Sequence, residues 1–210
     1  MKGGIRLSSL VLNIYPTFVD RMEKESGDRS CPIWLLVNSK YPNDIYDIWA
    51  PIMYEIQDQV FRKLHARIDS RNIYIRNAVS DIGRVPKTPN SWTARVAKET
   101  LMLRESVLEY QPKLLFTFGT ITNEFVRRVF DRRPENGPKY WSTTNLGNEF
   151  ERSIANFDIT RTNWIPLNRR VTKSGKNLKD WEDSENYYRD IATRIAERII
   201  ENKDTLKIWI

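Results

Sequence analysis

Four short runs of almost unbroken apolar residues constrain the fold of this chain more than any other feature. They lie at 32–37, 73–75, 114–118 and 164–167, and are rich in β-branched, leucine and aromatic residues. A strand with one wet face alternates apolar and polar side chains. A strand covered on both faces reads as a continuous apolar run, the habit of parallel sheets. Between the runs the apolar spacing changes to that of helices. Ile52, Ile56, Val60, Leu64 and Ile68 recur every fourth residue. Val96, Leu101, Leu103, Val107 and Leu108 follow Ser91, a natural N-cap, and Pro112 closes that segment. Ile121, Phe125, Val126 and Val129 mark a third helix after Gly119. Tyr188, Ile191, Ile195, Ile199 and Ile200 mark a fourth over 184–202. Strand and helix in alternation predict an α/β fold: a four-stranded, mostly parallel sheet flanked by helices, in three layers.

The connections are unequal. Residues 38–50 and 77–90 read as irregular, and 131–163 is long for a loop, with Pro134, Gly137, Pro138 and Gly147 along it. A connection of that length is functional or hides short elements. The 210 residues fit one domain, 1–210, with an insertion at about 131–163. A single cysteine, Cys31, excludes an internal disulfide, and a single histidine, His65, excludes any mechanism needing two. No apolar run is long enough to span a membrane, so a cytoplasmic protein is the expectation, with nucleoid or nucleus as alternatives. No Walker or dinucleotide fingerprint is present, and no cofactor or metal is expected.

The formal net charge is +7, from 34 basic and 27 acidic residues. Arg161, Arg169, Arg170, Lys173, Lys176 and Lys179 fall in an acid-free stretch, and Arg127, Arg128, Arg132 and Arg133 form a second knot. Basic fields of this kind attract phosphates, and nucleic acid is the expected partner, DNA before RNA. In open parallel sheets, ligands bind beyond the carboxyl ends of the strands. That rule selects Asn38 with Tyr41 and Asp44, Asn77, Gly119, and Asn168 with Arg169 and Arg170. An amide offers a donor and an acceptor together, the pattern that reads a base edge. An Asn after a strand also caps turns, so each position has a purely structural alternative. Tyr41, Tyr46 and Trp49 after the first strand, and Trp92 after the second, are placed to stack on bases or to close the sheet's end as an apolar lid.

The segments 73–79, 86–89 and 111–119 carry a further signal: a strand ending in Asn77, a loop with Pro86 and Pro89, then Pro112-Lys113 leading a strand to Gly119. This arrangement resembles the centre of uracil-DNA glycosylase superfamily proteins. The resemblance implies a four-stranded parallel sheet between helices and hydrolysis of an altered base from DNA, as in repair. It implies that Asn77 reads the flipped base and Tyr41 stacks on it. Asn38, with Asp44 further along, stands where a water-positioning residue belongs. The family's His-Pro-Ser loop is replaced by Leu167-Asn168-Arg169-Arg170, without the histidine. Asn168, Arg169, Arg170 and Lys173 would then face the leaving group or the nucleic-acid backbone. Catalysis stays open on this reading. The alternative is an inactive module on the same fold that binds nucleic acid, a nucleotide or a protein partner.

Overall fold

The computed structural model describes residues 25–39, 42–79, 94–132, 140–169 and 178–210, with backbone alone at 42–44, 94–95 and 178–185. The chain is an α/β sandwich. Among the described residues its strands are β1 (Glu25–Ser26), β2 (Ile33–Val37), β3 (Ile73–Asn77), β4 (Leu114–Phe118) and β5 (Asn163–Leu167). Among the described residues the helices are α1 (Pro42–Leu64), α2 (Ala94–Tyr110), α3 (Thr120–Val129), α4 (Thr143–Ala155), α5 (Leu178–Glu201) and the short α6 (Lys203–Leu206).

The sheet runs β1-β3-β2-β4-β5. β3, β2, β4 and β5 are parallel, as the four apolar runs predict; β1 adds a fifth, antiparallel strand on the β3 edge. That strand is too short and polar to announce itself. Gly27 makes it fit: its φ is 89°, and a Cβ there would stand 2.3 Å from the Ile73 carbonyl oxygen. The Tyr74 hydroxyl then donates to Glu25 at 2.5 Å. Burial, reinforced by that carboxylate, pushes the Tyr74 pKa up to about 12.

Both faces of the sheet are covered. Ile33, Leu35 and Val37 point into a cluster closed by α1 and α5, with Ile52, Ile56, Val60, Ile191 and Ile195. Trp34 and Leu36 point the other way, into a cluster closed by α2 and α3, with Leu103, Val107, Phe125 and Val126. Every residue of β2 is fully buried, which is why its sequence does not alternate.

The helices refine the sequence reading at several points. α1 begins at Pro42, not Ile52, so Tyr46 and Trp49 are helical rather than loop residues. Pro42 takes the first helical position, where a missing N–H costs nothing, and the stripe of Ile45, Ile48 and Ile52 runs straight through Pro51. Ile68 lies past the end of α1 and pairs with Trp209 as an isolated bridge. On α2, Val96, Leu103 and Val107 are buried, whereas Leu101 and Leu108, seven residues apart, share an exposed face. The long 131–163 connection contains α4. This helix sends Leu146 to one cluster and Phe150 and Ile154 to the other, so it straddles the β5 edge of the sheet. Among the described residues no helix is long and apolar enough to cross a membrane.

Candidate functional site at the carboxyl rim

The direction of the chain reverses between β2 and β4: β3 follows β2 to one side, and β4 and β5 continue on the other. At such a reversal the loops leaving the two strands diverge and open a crevice beyond their carboxyl ends. The residues leaving β2, β3, β4 and β5 are Asn38, Ala78, Gly119 and Asn168.

Short contacts tie these strand ends together. Asn77 is the last residue of β3, and its side-chain Oδ1 accepts from the Ser39 backbone N–H at 3.1 Å. The Ala78 N–H donates to the Val37 carbonyl at 2.8 Å. The Gly119 N–H donates to the Leu167 carbonyl at 2.9 Å, and the Arg169 guanidinium reaches across to the Asn38 carbonyl at 3.3 Å. Gly119 has φ 83°, and a Cβ there would meet the Arg169 Cβ at 3.3 Å, so glycine lets the rim close. Asn168 turns away from the crevice, donating to the Tyr187 hydroxyl of α5 at 3.0 Å. Burial raises the Tyr187 pKa, and the Asn168 amide only partly opposes it.

The structure therefore brings Asn38, Asn77 and Arg169 to one rim and shows Asn168 engaged beside it. Arg169 is exposed and has no carboxylate partner among the described residues. Tyr41, Arg170 and Lys173, together with Ser91, Trp92 and Arg133, lie outside the described residues, as does the side chain of Asp44. His65 sits just past the far end of α1, exposed, with φ 51° and its ring edge-on to Phe61, so it belongs to the opposite end of the sheet.

The basic regions divide on inspection. Arg127 and Arg128 both serve Glu124, which is fully buried. Glu124 also accepts from Trp141 Nε1 at 3.2 Å. Burial alone would raise its pKa, but these donors hold the carboxyl below its ordinary range. Those two arginines are therefore internal wiring around Glu124. The acid-free stretch is likewise split by β5: Arg161 stays at the amino end, within 3.6 Å of Asp158, and Arg169 stands at the carboxyl end.

Three buried side-chain atoms have no hydrogen-bond partner among the described residues: Asn38 Oδ1, Trp49 Nε1 and Thr122 Oγ1. Asn38 leaves β2, Trp49 lies in the first turns of the helix that follows it, and Thr122 lies in the first turn of the helix that follows β4. All three thus belong to the two segments that flank the reversal. Together they offer one acceptor, one donor and one hydroxyl that does both. Trp49 and Thr122 carry no motif, and only the strand-end rule combined with the observed strand order could have found them. No group of three His, Cys, Asp or Glu side chains able to hold a metal occurs among the described residues. No family model, no curated protein and no solved structure matches this chain.

Proposed function

We propose that the carboxyl rim recognises a nucleobase within a nucleic-acid strand, DNA before RNA, on a scaffold resembling that of the uracil-DNA glycosylases. The observation that carries this reading is the placement of every orphaned buried polar atom of the described residues on the segments flanking the β2/β4 reversal. Buried polar groups without partners are rare because each costs about 1–3 kcal/mol. Their restriction to these two segments is expected where a ligand completes them. Mixed donors and acceptors match the edge of a base. Arg169 supplies a positive charge for the strand that carries it. Asn77 commits its Oδ1 to Ser39, and among the described residues its Nδ2 has no partner, which leaves donors for a ligand.

A second reading, hydrolysis of the bond between base and sugar, is favoured by one feature. Asn38 Oδ1 is a buried acceptor able to orient a water, and Arg169 is close enough to Asn38 to offset charge on a departing base. Incubation with single- and double-stranded oligonucleotides carrying uracil or other altered bases, with alkaline detection of abasic sites, separates the two readings. Recognition without chemistry predicts binding at 50 mM salt and no strand scission. Chemistry predicts scission that Asn38→Ala removes. Absence of binding to every oligonucleotide overturns both readings. Arg169→Ala is expected to reduce the log–log salt slope of binding by about 1.

A further inference from the structure

A second cleft lies along β5, between that strand and α4. Asn163, Trp164 and Pro166 form its floor and α4 forms one wall through Glu149, Arg152 and Asn156. Arg132 and Arg161 stand at its other sides. The cavity measures about 380 Å³, within the range of pockets that hold small molecules.

Three guanidinium groups serve this one cavity, and one carboxylate lines it. Arg132 has no carboxylate partner among the described residues. It instead packs over the rings of Phe130 and Trp164, with centroids at 5.6 and 5.7 Å. That packing orients a planar donor group while leaving its N–H edges open. Arg152 holds Glu149 through one nitrogen at 2.6 Å, and Glu149 also accepts from the Tyr140 hydroxyl at 2.8 Å. Arg161 is fixed by the Asn156 carbonyl at 2.9 Å, while Asp158 sits at a looser 3.6 Å. Each guanidinium is therefore anchored by a neighbour and retains donors. Planar forks anchored in this way suit tetrahedral oxyanions, which accept from several at once.

The β5 edge explains why such a cleft survives. Pro166 contributes no N–H, so the edge is a poor template for another strand. The volume excludes a folded partner and fits a single nucleotide-sized molecule.

We propose that this cleft binds a small phosphate-bearing ligand of mononucleotide size, with Arg132, Arg152 and Arg161 clamping the phosphate. The site is independent of the recognition proposed for the carboxyl rim: Asn38, Asn77 and Arg169 are not among its lining residues.

Isothermal titration of the full chain with inorganic pyrophosphate, adenosine 5′-triphosphate and adenosine at 50 mM salt tests it. Pyrophosphate and the triphosphate are expected to bind, and adenosine is not. Arg132→Ala with Arg161→Ala should weaken both by tenfold or more; both side chains are exposed, and an unchanged unfolding midpoint verifies the fold. Arg132→Lys with Arg161→Lys, which keeps the charge but not the fork, should recover only part of the loss. Unaltered affinity in the double alanine variant overturns the proposal. So does loss of pyrophosphate binding in Arg169→Ala, which would place the anion at the rim. Displacement of pyrophosphate from the cleft by a single-stranded oligonucleotide without terminal phosphate would overturn the small-ligand assignment and make the cleft part of a nucleic-acid track.

Discussion

Two asparagines at opposite ends of the same sheet show how differently one residue type is used. At the amino end, Asn163 is buried and its amide is saturated. Its Nδ2 lies within donating distance of the carbonyls of Lys113, Asp158 and Arg161, and its Oδ1 accepts from the Asp158 N–H. At the carboxyl end, Asn38 Oδ1 is equally shut off from solvent and accepts nothing from the described residues. The first amide closes a turn and sets where β5 starts. The second is held ready. A saturated polar group reports on folding, whereas a buried orphan at a crevice reports on what enters it.

Breaking the saturated class should unfold the protein. The extreme case is the buried carboxylate of α3: Glu124→Ala strands the Arg127 charge, which is itself only 7% exposed, and should cost about 3–5 kcal/mol in urea unfolding. The same group sets acid sensitivity. Its folded pKa lies below the ordinary 4.5, so its contribution is complete above that value and is lost as the pH falls further, through the depressed folded pKa. Urea midpoints of Glu124→Gln should therefore fall less steeply with acid than those of the native chain. Next comes Asn163→Ala, which takes the side-chain partner from both the Asp158 N–H and the Asp158 carbonyl and should cost about 2–3 kcal/mol by the same measurement. Asn77→Ala removes one bond to a backbone N–H and should cost about 1 kcal/mol while lowering oligonucleotide affinity. Least destabilising is Asn38→Ala, expected to cost nothing and to gain up to about 1–3 kcal/mol, because it removes a buried acceptor that nothing described pairs. If Asn38→Ala and Asn163→Ala destabilise equally, the contrast between the two ends is lost.

The architecture was legible from the sequence because strands buried on both faces leave no room for polar residues, and the four runs stand out for that reason. β1 was not legible, since its two residues join the sheet through Gly27 and a side-chain bond rather than through apolar burial. The start of α1 was hidden by Pro51, which pattern rules place at a helix beginning and which here sits inside one. At the rim, Asn38, Asn77 and Arg169 could be named in advance because strand ends bear ligands whatever the strand order. Trp49 and Thr122 could not, because only the β2/β4 reversal makes their helices neighbours of the crevice. Arg127 and Arg128 misled as a phosphate-seeking pair, because nothing local shows that Glu124 between them is buried and claims both.

The orphaned groups on the segments flanking the β2/β4 reversal are proposed to meet a base. Fluorescence anisotropy of a labelled, uracil-bearing single strand, titrated with the native chain and with Asn38→Ala at one fixed salt concentration, tests this most directly. Asn38→Ala is expected to bind more weakly, by tenfold or more, with no loss of stability. Equal affinity of the two proteins, with binding otherwise intact, would contradict it.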